Sequence, residues 1–174
     1  MVMQILLRAT MLATAATAAS IPFRSTSTTS ALRLSANVTG LDISPSLQGQ
    51  ELTYVSNADC QADIVFAPAG QGATFYATGQ TVGVTHFSDD SSPGAGMVIT
   101  PGGTATVPSA NVVGLRCGAS TTGVSVTPSG LQYDGGAWMA CPRDGAVVLS
   151  FKQAGQRTLA SCGDVQLLPI YQEV

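Results

Sequence analysis

From Ala31 onward no stretch of the chain leaves room for more than a short strand, because clusters of Gly, Pro, Asn, Asp and Ser interrupt it at intervals of roughly ten residues. "PAGQG", "SDDSSPGAG", "TPGG", "TPSG" and "YDGG" are the clearest interruptions. Each joins residues that accept positive φ to residues that preset or close a turn. Between them lie "LRLSANV", "ELTYVS", "DIVFA", "ATFYA", "TVGVTHF", "GMVIT", "NVVGLR", "GVSVT", "AVVLSF" and "VQLLPIY". Strict alternation puts Leu32, Leu34, Ala36 and Val38 on one face of the first run, and Val147, Leu149 and Phe151 on one face of "AVVLSF". Beyond the N-terminal segment there is no sustained helical periodicity, and no fixed-period repeat that would suggest a propeller or solenoid. The expected fold is all-β: a β-sandwich or closed-barrel-like single domain of many short antiparallel strands, spanning residues 31–174.

Two segments precede that domain. "MVMQILLRATMLATAATAAS" combines one basic residue, an apolar run and small residues suited to cleavage, so residues 1–19 read as a secretory signal peptide. A mitochondrial presequence is the alternative, since Arg8, Arg24 and Arg33 all precede the first acid, Asp42. Residues 20–30, "SIPFRSTSTTS", have no hydrophobic periodicity and read as a flexible Ser/Thr-rich arm. No later run is apolar for long enough to span a bilayer as a helix.

Export makes the cysteines informative. Cys60, Cys117, Cys141 and Cys162 are even in number and none stands at C-x-x-C spacing, so two disulfides are the economical reading rather than a metal site. Of the three connectivities, Cys60 with Cys117 and Cys141 with Cys162 is favoured, because the second pair brackets one apparent strand, "GAVVLSF". Asn37-Val38-Thr39 is an N-glycosylation sequon, which marks Asn37 as a glycan acceptor in a secreted chain.

Charged residues make up 10% of the chain and the net charge is −3, with Lys152 the single lysine. Such a chain lacks the clustered cations that phosphate backbones require, which excludes nucleic acid as a partner. Proton-transfer groups are also scarce. His86 is the single histidine, and alternation in "TVGVTHF" would set it beside Val82 and Val84 as a structural residue. Asp89 and Asp90 lie in turn chemistry, without the spacing of a calcium loop. Glu51 and Glu173 supply no evident facing carboxylate pair for glycoside hydrolysis. Neither a catalytic residue nor a metal ligand nor a cofactor site is expected.

The densest motif is "GGAWMACPRDG", residues 135–145, which holds the single Trp. Trp138 and Tyr133 could form a sugar-stacking platform, with Phe75, Tyr76 and Tyr54 as further rings. The favoured reading is packing around a disulfide, with Trp138 and Ala140 facing one way, Met139 and Cys141 the other, and Pro142 ending the strand.

"GGAWMACP" followed by "CGDVQLLP", with the middle stretch "FYATGQTVGVTHFSDDSSPGAGMVITPGG", resembles fungal secreted cell-wall proteins of the PhiA type over residues 72–168. The resemblance implies a secreted, non-catalytic protein whose partners are cell-wall polysaccharide or other wall proteins, with Cys141 and Cys162 carried over as half-cystines. It has no counterpart for Cys117 and leaves the N-terminal third unmatched. Two other functions compete with this one: a secreted effector or elicitor that binds a host molecule, and a carbohydrate-active enzyme.

Overall fold

The computed structural model describes residues 29–87, 93–100, 102–104 and 107–172. The signal peptide, residues 20–28 of the Ser/Thr-rich arm, Asp89, Asp90 and Glu173 lie outside these residues. The first alternating run becomes β1 (Ser30–Val38), which opens one residue before the expected domain start and buries Leu32, Leu34 and Ala36. A hairpin follows, of β2 (Glu51–Ala58) and β3 (Gln61–Ala67). Next come β4 (Phe75–Thr78), β5 (Thr81–Val84), β6 (Ala95–Ile99) and β7 (Asn111–Cys117), each paired to the next. The last part comprises β8 (Ser125–Thr127), β9 (Gly130–Gln132), β10 (Ala137–Arg143), β11 (Ala146–Lys152) and β12 (Gly163–Tyr171). No helix occurs among the described residues.

Ten strands share one antiparallel sheet that closes on itself, because pairings β10–β11 and β1–β4 join strands that would otherwise lie far apart in the order. Two closed circuits result. One runs β1–β2–β3–β11–β10–β12, and the other β1–β2–β3–β7–β6–β5–β4. The fold is therefore all-β and closed-barrel-like, as the spacing of turns indicates. The separate β8–β9 hairpin adds Val124 and Leu131 to the interior, and Ser129 in its turn accepts from Gln166 on β12.

Inward-facing alternate residues fill one core, which includes Phe75, Met97, Leu115, Leu149 and Leu167, all 0 or 1% exposed. The β10–β11 hairpin departs from simple alternation. Both of its faces are buried: Trp138, Ala140, Leu149 and Phe151 join the main core, while Met139, Cys141 and Val148 pack with Val65, Leu159 and Cys162 on the other side. The segment after β11 covers that second face. The hairpin's turn is Asp144-Gly145, with φ of 51° and 82°, the doubly positive pair of a type I′ two-residue connection.

Two local expectations change. Pro142 does not end its strand, because it stays in register with Val147 and β10 runs on to Arg143. It is tolerated there because β12 pairs only with residues 138–140, so beyond Ala140 β10 has a neighbour on one side only. His86 does not line up with Val82 and Val84, because β5 ends at Val84 and His86 lies exposed beyond it.

Candidate functional site

The motif "GGAWMACPRDG" is a strand sealed on both sides. Trp138, Met139, Ala140 and Cys141 are 4, 0, 0 and 6% exposed. The Trp138 indole Nε1–H donates to the Leu131 carbonyl at 2.7 Å, and its ring meets Phe151 edge-on at 5.5 Å between centroids. That combination of apolar contact and one satisfied polar atom is how a buried Trp is normally held. A sugar platform needs an open ring face, and Trp138 has none to offer.

Tyr133 takes a different position. It is half-buried, packs edge-on to Phe151 at 5.1 Å, and lines a groove of ≈ 340 Å³ with Ser125, Gln132 and Asp134. The two proposed platform residues thus both pack edge-on against one phenylalanine, with only Tyr133 reaching the surface. Of the other rings, Phe75 is buried, Tyr54 stacks on Phe87 at 5.9 Å, and Tyr76 is half-buried beside a wider groove of ≈ 500 Å³.

All four cysteines are committed to disulfides, Cys60–Cys117 and Cys141–Cys162, with Cα–Cα separations of 5.3 and 4.3 Å. Cys60 sits in the β2–β3 turn and Cys117 at the end of β7, so the first bridge ties a hairpin tip to the wall beside it. The second fastens the 153–162 segment over the outer face of β10. Thiol titration of the denatured, unreduced protein is expected to find no reactive group; two would contradict this pairing.

The acids hold structure together. Glu51, 4% exposed, accepts from the Arg33 guanidinium at 3.0 Å and from the Gly72 N–H at 2.9 Å, clasping β1, β2 and the approach to β4. Asp42, in an exposed loop, accepts from the Ser46 hydroxyl and from the N–H groups of Leu47 and Ile43, which hold its carboxyl below the usual range. Asp164 receives the Lys152 ammonium at 2.6 Å, with the Thr158 hydroxyl bonded to both. These two interactions were not legible in the sequence, since Arg33 and Glu51, or Lys152 and Asp164, carry no spacing that marks a pair.

Burial pushes the Asp164 carboxyl up, but bonds from Lys152 and Thr158, the Lys152 charge and a backbone bond from Leu41 outweigh it, so the net shift is downward. Such a group is charged in the fold at a pH where the unfolded chain is already protonated. Its contribution to stability is present above the ordinary Asp range near pH 3.9 and is lost as pH falls through the lowered value. Asp164→Asn is therefore expected to flatten the acid limb of a stability–pH curve measured by denaturant unfolding. An acid limb as steep as in the parent protein would show that the Lys152 pair does not shape it.

His86 is exposed, and its carbonyl accepts from the Tyr54 hydroxyl at 3.4 Å. His86→Ala is expected to change stability by no more than about 0.5 kcal/mol in equilibrium unfolding. Among the described residues no group of three or more His, Cys, Asp or Glu is placed to hold a metal ion. Among those residues, too, no helix is long and apolar enough to cross a membrane. Asn37 is half-buried on β1, its amide N–H donating to Gln166 at 3.3 Å and its oxygen accepting from Gln48 at 3.5 Å.

Fold and side chains together define a closed, all-β domain stapled by two disulfides. Residues 29–171 match the family described as a domain of unknown function, DUF7907, and the chain belongs to that family. No curated protein and no solved structure matches it.

Proposed function

We propose that the protein is a secreted, non-catalytic constituent of the fungal cell wall, of the PhiA type, working by attachment to wall polysaccharide or to other wall proteins. The observation that carries this reading is the commitment of every cysteine to a disulfide in a chain whose N-terminal segment has export character. The acids add support: the two best-placed carboxylates, Glu51 and Asp164, are each spent on a cationic side chain rather than facing one another across a cleft. Asn37 carries a glycan in this reading. An amide with a sugar attached keeps one N–H, so the bond to Gln166 can persist.

Fractionation of the producing cells tests it. The protein should be recovered from washed walls and shift in mobility on glycosidase treatment, with Asn37→Gln abolishing the shift. Recovery solely as free protein in the culture fluid would instead favour the secreted-effector reading. Release of reducing sugar from wall polysaccharide by the purified protein would overturn the non-catalytic assignment.

A further inference from the structure

A second groove, of ≈ 260 Å³, opens on the outer face of the sheet where β3, β7 and β6 lie side by side. Gly114 forms its floor. On β7 it is in register with Asp63 of β3 on one side and Val98 of β6 on the other, so the row of outward side chains has a gap at its centre. The gap is built in, because a Cβ at Gly114 would come within 2.7 Å of the Ala62 carbonyl oxygen. Around it stand Asn57, Gln61, Asp63, Arg116 and Arg143.

Several polar side chains outside the groove are already engaged. Arg33 and Lys152 are each paired with a carboxylate, and Asn111 and Gln156 donate to backbone carbonyls. In the groove, the side chains of Asn57, Gln61, Asp63 and Arg116 have no hydrogen-bond or ion-pair partner among the described residues, and Arg143 has only the fully solvated Asp144 at 3.6 Å. A pair in that setting is worth little and is easily exchanged for a ligand. Arg116 and Arg143 thus bring two available guanidiniums to one depression of a chain with net charge −3.

We propose that this groove binds uronic-acid units of an acidic polysaccharide. A guanidinium presents a planar fork of donors matched to a carboxylate, which assigns Arg116 and Arg143 to the sugar's carboxyl group. Asp63 can only accept when ionised, so it suits a neighbouring hydroxyl and opposes a ligand that is anionic on every side, such as phosphate. Asn57 and Gln61 both donate and accept, as ring hydroxyls require. An extended peptide is the poorer fit. β7 is paired on both sides, by β6 on one and by β3 and β11 on the other, and so offers no free edge for strand addition.

The inference deepens the proposed attachment to polysaccharide, yet it is tested on purified full-length protein, independently of where the protein resides in cells. Calorimetric titration with an oligogalacturonate should show binding that weakens with salt, while the carboxyl-reduced neutral oligomer and inorganic phosphate bind far less. Arg116→Ala and Arg143→Ala should each weaken uronate binding about tenfold or more, the loss of a hydrogen bond to a charged group. Both side chains are exposed, so thermal melting of the variants should match the parent. Asp63→Asn should weaken uronate binding and strengthen phosphate binding. Equal affinity for the neutral oligomer, no binding of the uronate, or affinity unchanged in both arginine variants would overturn the assignment. Tighter uronate binding by Asp63→Asn would overturn the hydroxyl role of Asp63. A protein recovered from walls that shows no uronate binding when purified would sink the groove and leave the wall location standing; uronate binding by a protein absent from walls would do the reverse.

Discussion

Trp138→Ala is expected to lower unfolding free energy by about 3–5 kcal/mol, the usual range for deleting a large buried aromatic. The ring is 4% exposed and packs on Phe151, so its removal leaves a void between β10 and β11 rather than a smoother surface. The Leu131 carbonyl would also lose its donor. Trp138→Phe separates the two contributions, since it keeps most of the apolar volume while leaving that carbonyl unsatisfied, at about 1–3 kcal/mol. Urea unfolding of both variants measures this directly. A change within about 0.5 kcal/mol for the alanine variant, the level of a surface substitution, would mean that the indole is not part of the core.

Removing the Cys60–Cys117 bridge by a double serine substitution is expected to have an effect of similar size for a different reason. The bridge spans 57 residues of sequence, and in the chain-entropy model a loop of that length contributes about 4 kcal/mol by restricting the unfolded ensemble. Cys60 and Cys117 are half-buried at the end of a hairpin whose strands are otherwise paired, so little native packing is lost with them. The loss should therefore appear together with a steeper dependence on urea, because the uncrosslinked unfolded chain exposes more surface. Trp138→Ala should leave that slope unchanged. A double serine variant with parent-like stability would place the bridge outside the fold's cooperative unit.

Nearly every strand was legible in the sequence because turn residues and alternation act locally. β1 is the clearest case, with Leu32, Leu34 and Ala36 all inward. Locality also explains the failures. β9 is three residues between two turn clusters, too short for alternation to register. His86 continues the period of Val82 and Val84 in sequence, but the pairing of β5 with β6 stops at Val84 opposite Ala95, so His86 lies beyond the ladder that sets the alternation. The double burial of Met139 and Cys141 follows from the 153–162 segment lying over them, which no pattern within β10 encodes. Of the three possible disulfide pairings, the favoured one, with Cys141 and Cys162 bracketing β11, is the one that forms. The groove was not legible at all: Asp63, Arg116 and Arg143 come from β3, β7 and β10, and only the closure of the sheet brings them together.

That closure also sets a timetable. β1 finds its longest partner in the last strand, with Leu32 opposite Tyr171 and Val38 opposite Val165. On a ribosome adding about 5–20 residues per second, the intervening chain takes roughly 7–28 s to appear. During that interval β1 has β2 and β4 on one edge, and its other edge is an unpaired row of backbone donors and acceptors beside Leu32 and Leu34. Neither β1 nor β10 gains its second flank until β12 is made, so the six-strand circuit can form only after β12 has emerged. A nascent or truncated product ending before Gly163 would carry two open strand edges at once, which makes the arrival of β12 the step at which this molecule stops being a template for aggregation.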